Sequence, residues 1–135
     1  MEKISNSPED TENIGYLFSE KINQGDIILI NGDLGAGKTT FIKGVLRGLE
    51  YTGNVNSPTY TLVNEYYSKY RVIHIDCYRE QNVNRWLDIG IMDYLFGDNV
   101  VIIEWSEYIS SIIPKDVIAI NIDSISEFER KIKIL

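Results

Sequence analysis

Two short, unbroken apolar runs stand out along the chain, Ile27-Ile28-Leu29-Ile30 and Val100-Val101-Ile102-Ile103. Four consecutive aliphatic residues leave no polar face, so each run reads as a central strand covered on both sides. Three other stretches repeat at helical spacing. The first opens at Ser7-Pro8-Glu9-Asp10. There Ser7 can cap, Pro8 suits the first turn, and the acids favour the positive end of the helix dipole. Ile14, Leu17, Phe18 and Ile22 then recur as its apolar face, and Gly25-Asp26 stops it. The second helix carries Phe41, Ile42, Val45, Leu46 and Leu49. The third is marked by Trp86, Leu87, Ile91, Tyr94 and Leu95 and ends at Gly97-Asp98-Asn99. Residues 52–59 read as a loop, 61–67 and 70–75 as an antiparallel pair, and 117–122 and 128–135 as two closing strands. This order predicts an α/β fold with a mixed, mainly parallel central sheet flanked by helices.

Composition narrows the function classes. A chain of 135 residues, 44% hydrophobic and 24% charged, is expected to form one globular domain over residues 1–135. The net charge of −7 opposes a grip on phosphate backbones, so a basic protein partner is a better expectation than direct RNA or DNA binding. Cys77 is the single cysteine and His74 the single histidine, which excludes an intramolecular disulfide and a Cys/His zinc site. The first ten residues show no apolar signal core, and no apolar run approaches the ~20 residues of a membrane span. A cytoplasmic location is the expectation, without membrane association.

Between the first strand and the second helix lies Gly32-Asp33-Leu34-Gly35-Ala36-Gly37-Lys38-Thr39, a full match to G-x-x-x-x-G-K-[ST]. Gly35 and Gly37 lack a Cβ, so the backbone can curl and turn its N–H groups inward around phosphate oxygens. Lys38 supplies a point charge for the β- and γ-phosphates, and the Thr39 hydroxyl can ligate Mg²⁺. Such a loop needs an acidic group at a neighbouring strand end. Asp76 and Glu104, each closing an apolar strand, both qualify. An acid at a strand end is also often just solvated. Asp33, inside the loop, could order a lid or a water and reads equally well as an exposed turn residue.

Four ordered motifs resemble the TsaE (YjeE) family, the bacterial ATPase of tRNA threonylcarbamoyladenosine biosynthesis. They are the loop extended to Thr40-Phe41, Ser57-Pro58-Thr59-Tyr60-Thr61-Leu62, His74-Ile75-Asp76-Cys77-Tyr78-Arg79, and Glu104-Trp105. The resemblance covers nearly the whole chain and implies a P-loop NTPase fold. Cys77 stands where an aliphatic residue is common, and Ser106 where Pro is frequent. Arg130 is a loose match to a basic nucleotide-contacting position.

The resemblance implies ATP and Mg²⁺ as cofactors and TsaD and TsaB as partners, with tRNA contacted mainly through that complex. It implies that Gly35, Ala36, Gly37, Lys38, Thr39 and Thr40 hold the phosphates and that Thr61 senses the γ-phosphate. Thr39 and Glu104 would hold the metal, with Lys38, Asp76 and Glu104 as the catalytic set. His74 is expected to be a hydrogen-bonded structural group, Trp105 to pack in the core or at the rim, and Arg79 to reach phosphate or partner or form an ion pair. Tyr60, Tyr66, Tyr67 and Tyr70 lean toward a partner surface. Two other functions fit the loop: a small-molecule P-loop kinase, and a nucleotide-sensing regulatory subunit. The five arginines form no cluster resembling a kinase lid.

Overall fold

The computed structural model describes residues 1–55 and 62–135. Its strands are β1 (Glu2–Ser5), β2 (Ile27–Asn31), β3 (Val63–Tyr67), β4 (Arg71–Asp76), β5 (Val100–Glu104), β6 (Ile118–Ser124) and β7 (Arg130–Ile134). The helices are α1 (Pro8–Phe18), α2 (Lys38–Gly48), α3 (Val83–Ile89) and α4 (Ile91–Leu95). The strands form one seven-stranded sheet in the order β1-β7-β6-β2-β5-β4-β3. β2 pairs in parallel with β5 and β6, and β4 in parallel with β5. Antiparallel pairs extend both edges. Only β3 and β7 run against the other strands, so the sheet is mixed and mainly parallel, as the order of elements implies.

The apolar runs are central strands because both of their faces are covered. Ile28, Ile30, Val100 and Ile102 point to one side, beneath α1 and α2. Ile27, Val101 and Ile103 point to the other, against Trp86, Ile91, Leu95 and Ile109. This is the strand's two-residue alternation applied to residues that are apolar throughout.

Three of the four apolar residues expected to face inward from the first helix do so: Phe18 and Ile22 are buried and Ile14 packs against the core. Ser7 does cap α1, its hydroxyl accepting the Asp10 N–H at 3.1 Å. Leu17, however, is 51% exposed, and Thr11 and Gly15 are buried in addition. Close packing on α2 explains this. A Cβ on Gly15 would collide with the Phe41 carbonyl, and one on Gly44 with the Glu12 carbonyl. Small residues therefore take the contact, and Phe18 meets Phe41 beside it at 6.0 Å between ring centroids.

Two further differences concern the ends and the third helix. β1 carries no apolar signal and buries only Ser5. Its ladder with β7, with Lys3 opposite Ile132, holds it in place. The expected third helix is two, because Gly90 takes a left-handed conformation (φ 95°) that closes α3 and opens α4. Among the described residues, no helix is long and apolar enough to cross a membrane.

Candidate functional site

The parallel register brings the ends of β2, β4 and β5 together. Ile30 lies opposite Glu104, and Glu104 opposite Asp76. The glycine-rich loop leaves β2 at this same edge. The Ala36 N–H donates to the Asp33 carbonyl at 3.0 Å, closing a tight turn. Gly35 and Gly37 both adopt left-handed φ, 79° and 102°, which strains any residue with a Cβ. Gly37 is also the N-cap of α2, with no side-chain cap and no acid in the first turn. Among the described residues no side chain caps the leading N–H groups of α2, and the helix dipole adds to their pull on an anion.

Lys38 folds back over this turn. Its Nζ donates to the Gly32 carbonyl at 2.5 Å and stands 4.2 Å from the centroid of the Trp105 ring. Burial pushes its pKa below the ordinary 10.5, while Glu104, Asp76, Glu107 and Asp33 pull the other way. Asp76 is half-buried. Burial raises its pKa above the ordinary 3.8, opposed by the Tyr78 N–H that donates to Oδ1 at 2.9 Å, and Glu104 raises it further. Glu104 is buried, and its Oε2 lies 2.7 Å from His74 Nε2. Trp105 holds a left-handed backbone (φ 57°, ψ 42°), a conformation costing on the order of 1–3 kcal/mol for a bulky residue. Its ring packs against Tyr78 at 5.0 Å and Tyr108 at 6.5 Å.

These groups surround a cavity of about 310 Å³, lined by Gly35, Gly37, Lys38, Thr39, Thr40, Asp76, Glu104 and Trp105 together with Leu34. Of the candidate site residues, Ala36 is instead buried beside the turn, 3% exposed, and Thr61 lies outside the described residues. Trp105 joins the cavity wall. Arg79 is exposed and, among the described residues, forms no ion pair. Asp33 is exposed and accepts the turn's hydrogen bond. Burial pushes the Cys77 thiol up to about 12, so it is chemically quiet. Tyr66 is buried and meets Tyr51 edge-on at 5.0 Å, which makes it a core residue. Tyr67, 70% exposed, carries the hairpin's outward aromatic surface.

Residue Arg130, only loosely indicated by sequence, proves central to the loop. Its guanidinium donates to the carbonyls of Ala36 at 2.9 Å, Gly35 at 3.4 Å and Ser126 at 2.8 Å. It braces the outer side of the turn, leaving the N–H groups to face inward. A second groove, about 140 Å³, opens past Thr40 between Pro8, Thr11, Phe128 and Arg130. The contact joins residues 94 positions apart, so no local pattern announces it.

The donor set can be tested against a metal. Among the described residues, no three His, Cys, Asp or Glu side chains converge into a protein cage. One hydroxyl, on Thr39, and two carboxylates, on Asp76 and Glu104, share the cavity wall. Such a sparse oxygen set fits Mg²⁺, which keeps waters and takes phosphate oxygens, and does not fit zinc.

Residues 5–132 match the family model described as threonylcarbamoyl adenosine biosynthesis protein TsaE. A Treponema pallidum protein named tRNA threonylcarbamoyladenosine biosynthesis protein TsaE is 31% identical over 134 residues, 99% of each chain. Its Bacillus subtilis namesake is 38% identical over 127 residues, 93% of this chain and 79% of its own. The crystal structure of Bacillus subtilis YdiB superposes with a TM-score of 0.86 at 32% identity, covering 99% of this chain and 83% of that one.

Proposed function

The chain belongs to the TsaE family of threonylcarbamoyladenosine biosynthesis, and on that premise we propose that it is a Mg²⁺-dependent ATPase acting with TsaD and TsaB in tRNA modification. The observation that carries the ATPase reading is the shared cavity. A glycine-rich turn, an uncapped helix N-terminus, Lys38, Thr39 and two strand-end carboxylates meet at one place.

In this reading the N–H groups of residues 35–40 hold the phosphates, and Lys38 trades its bond to the Gly32 carbonyl for a phosphate oxygen. Its charge then opposes the negative charge that develops as the terminal phosphoryl group departs. Thr39 and Glu104 would hold Mg²⁺, with Asp76 ordering its waters or the attacking one. A metal held there would supply positive charge against the phosphate oxygens. The nucleoside leaves past Thr40 toward the groove beside Thr11 and Phe128. Among the described residues no arginine lines the 310 Å³ cavity, so we assign any arginine acting on the γ-phosphate to a partner. The net charge of −7 supports leaving RNA contact to TsaD and TsaB.

The test is the ATP hydrolysis rate of the purified chain, alone and with its cognate TsaD–TsaB pair. A clear rise with the pair is expected. An unchanged rate contradicts a site completed by partners, and transfer to small phosphoacceptors would then point to a kinase.

A further inference from the structure

His74 has a geometry that the proposed reaction leaves unexplained. It lies inside β4, with its ring fully buried. Nε2 meets Glu104 Oε2 at 2.7 Å. Nδ1 is sealed from solvent and has no hydrogen-bond partner among the described residues. A buried polar atom without a partner is a net cost, so a purely structural role would be filled better by an apolar side chain. The Tyr66 ring, 6.5 Å away between centroids and tilted by 30°, flanks the imidazole.

The consequence falls on Glu104. A glutamate reaches its carboxylate through three rotatable bonds, and the bond to His74 fixes where that carboxylate sits. It also divides the two oxygens. Oε2 is taken by the imidazole, and no bond among the described residues falls on Oε1, while the residue lines the cavity. We infer that His74 is a positioning residue, whose Nε2–H holds the Glu104 carboxylate so that Oε1 is presented to a divalent cation beside the phosphates. This rests on the Mg²⁺-dependent ATPase reading. Hydrogen-bonded partners behind a metal-binding group typically change affinity or activity by 10–100-fold when removed.

The test compares two amides at one position. Gln places its amide nitrogen near the location of Nε2, and Asn falls short of it. For the unaltered chain, His74→Gln and His74→Asn, calorimetry measures ADP affinity without metal and then across a Mg²⁺ series, alongside kcat and KM for ATP. His74→Asn is expected to need about 10–100-fold more Mg²⁺ and to lose kcat, with metal-free ADP affinity unchanged. His74→Gln is expected to recover most of both. A wild-type Mg²⁺ response in His74→Asn overturns the inference, as does equal impairment of both variants. Should His74→Asn fail to fold, proton NMR of the unaltered chain decides. A ring Nε2–H signal that persists with Mg²⁺ and ADP supports the assignment, and its disappearance overturns it. If the unaltered chain itself shows no Mg²⁺ effect on ADP binding, the ATPase reading fails and this inference falls with it. A variant that matches a Mg²⁺-responsive parent sinks the inference alone.

Discussion

The middle and the carboxyl end of β4 and β5 are made from neighbouring residues yet obey opposite rules. In the middle, Val72, Ile73, Ile75 and Val100 to Ile103 are all at most 1% exposed and pack on both faces of the sheet. Among these side chains nothing opposes burial, and His74, set between Ile73 and Ile75, is the polar exception. At the end of the strands, Asp76 is pushed toward its neutral form, as is Lys38 beside it, and Trp105 sits in a strained backbone. His74 Nδ1 has no hydrogen-bond partner among the described residues. Unfavourable features gather at the carboxyl edge and at His74, which reaches Glu104 there, while the apolar remainder of these strands is locally consistent. That division is expected where a stable frame holds charged groups ready for a ligand.

Mutations on the two sides should separate stability from chemistry. The largest effect belongs to the frame. Trp86 is fully buried, and its indole N–H donates to the Glu80 carbonyl at 2.6 Å. Trp86→Ala should remove about 3–5 kcal/mol of unfolding free energy in urea titration, with ADP affinity of the folded protein unchanged. A parallel loss of ADP affinity would show that frame and site are not separable.

Next comes the opposite case. Asp76→Asn should slow ATP hydrolysis by roughly 100-fold while raising stability at neutral pH. The sign follows from the raised pKa. Folded wild-type protein binds the Asp76 proton more tightly than the unfolded chain, so it loses stability as pH rises from the ordinary 3.8 through the raised folded value. Above that window the penalty is complete, and the variant escapes it. The stability gap should close as pH falls through the folded value toward 3.8, which thermal melts across that range would reveal. A less stable variant at neutral pH would contradict the strain assigned to this edge.

The smallest expected effect sharpens the frame itself. Gly15→Ala places a methyl group against the Phe41 carbonyl, so α1 must move off α2. A cost of about 1–3 kcal/mol is expected in chemical denaturation. No cost would mean the close crossing of α1 and α2 is unimportant.

The parts of this molecule that can be read from sequence are those governed by local pattern. β2, β5 and the inner face of α2 announce themselves because their buried residues are apolar, apart from Glu104 at the end of β5 and Lys38 and Gly44 in α2. The glycine-rich loop and the strand-end acids are legible for a related reason, since each motif has a fixed place beside a strand. What escapes is set by tertiary contact. α1 buries Gly15 and exposes Leu17 because helix separation, not side-chain hydrophobicity, decides its face. β1 is held by backbone pairing that leaves almost no side-chain signature. The brace from Arg130 to Ala36, the tie from His74 to Glu104 and the lysine beneath Trp105 all join distant residues. None of them can be found by inspecting spacing.

In the proposed ATPase the carboxyl edge holds a nucleotide by charges that the fold itself disfavours. Lys38→Met tests it most directly, because it keeps the buried stem and deletes only the charge. ATP affinity with Mg²⁺ and the unfolding midpoint should be measured on the same preparation, beside wild type. A collapse of ATP affinity with an unfolding midpoint equal to or above wild type is the expected result. Undiminished ATP affinity, or a collapse accompanied by an equally large loss of stability, would contradict it.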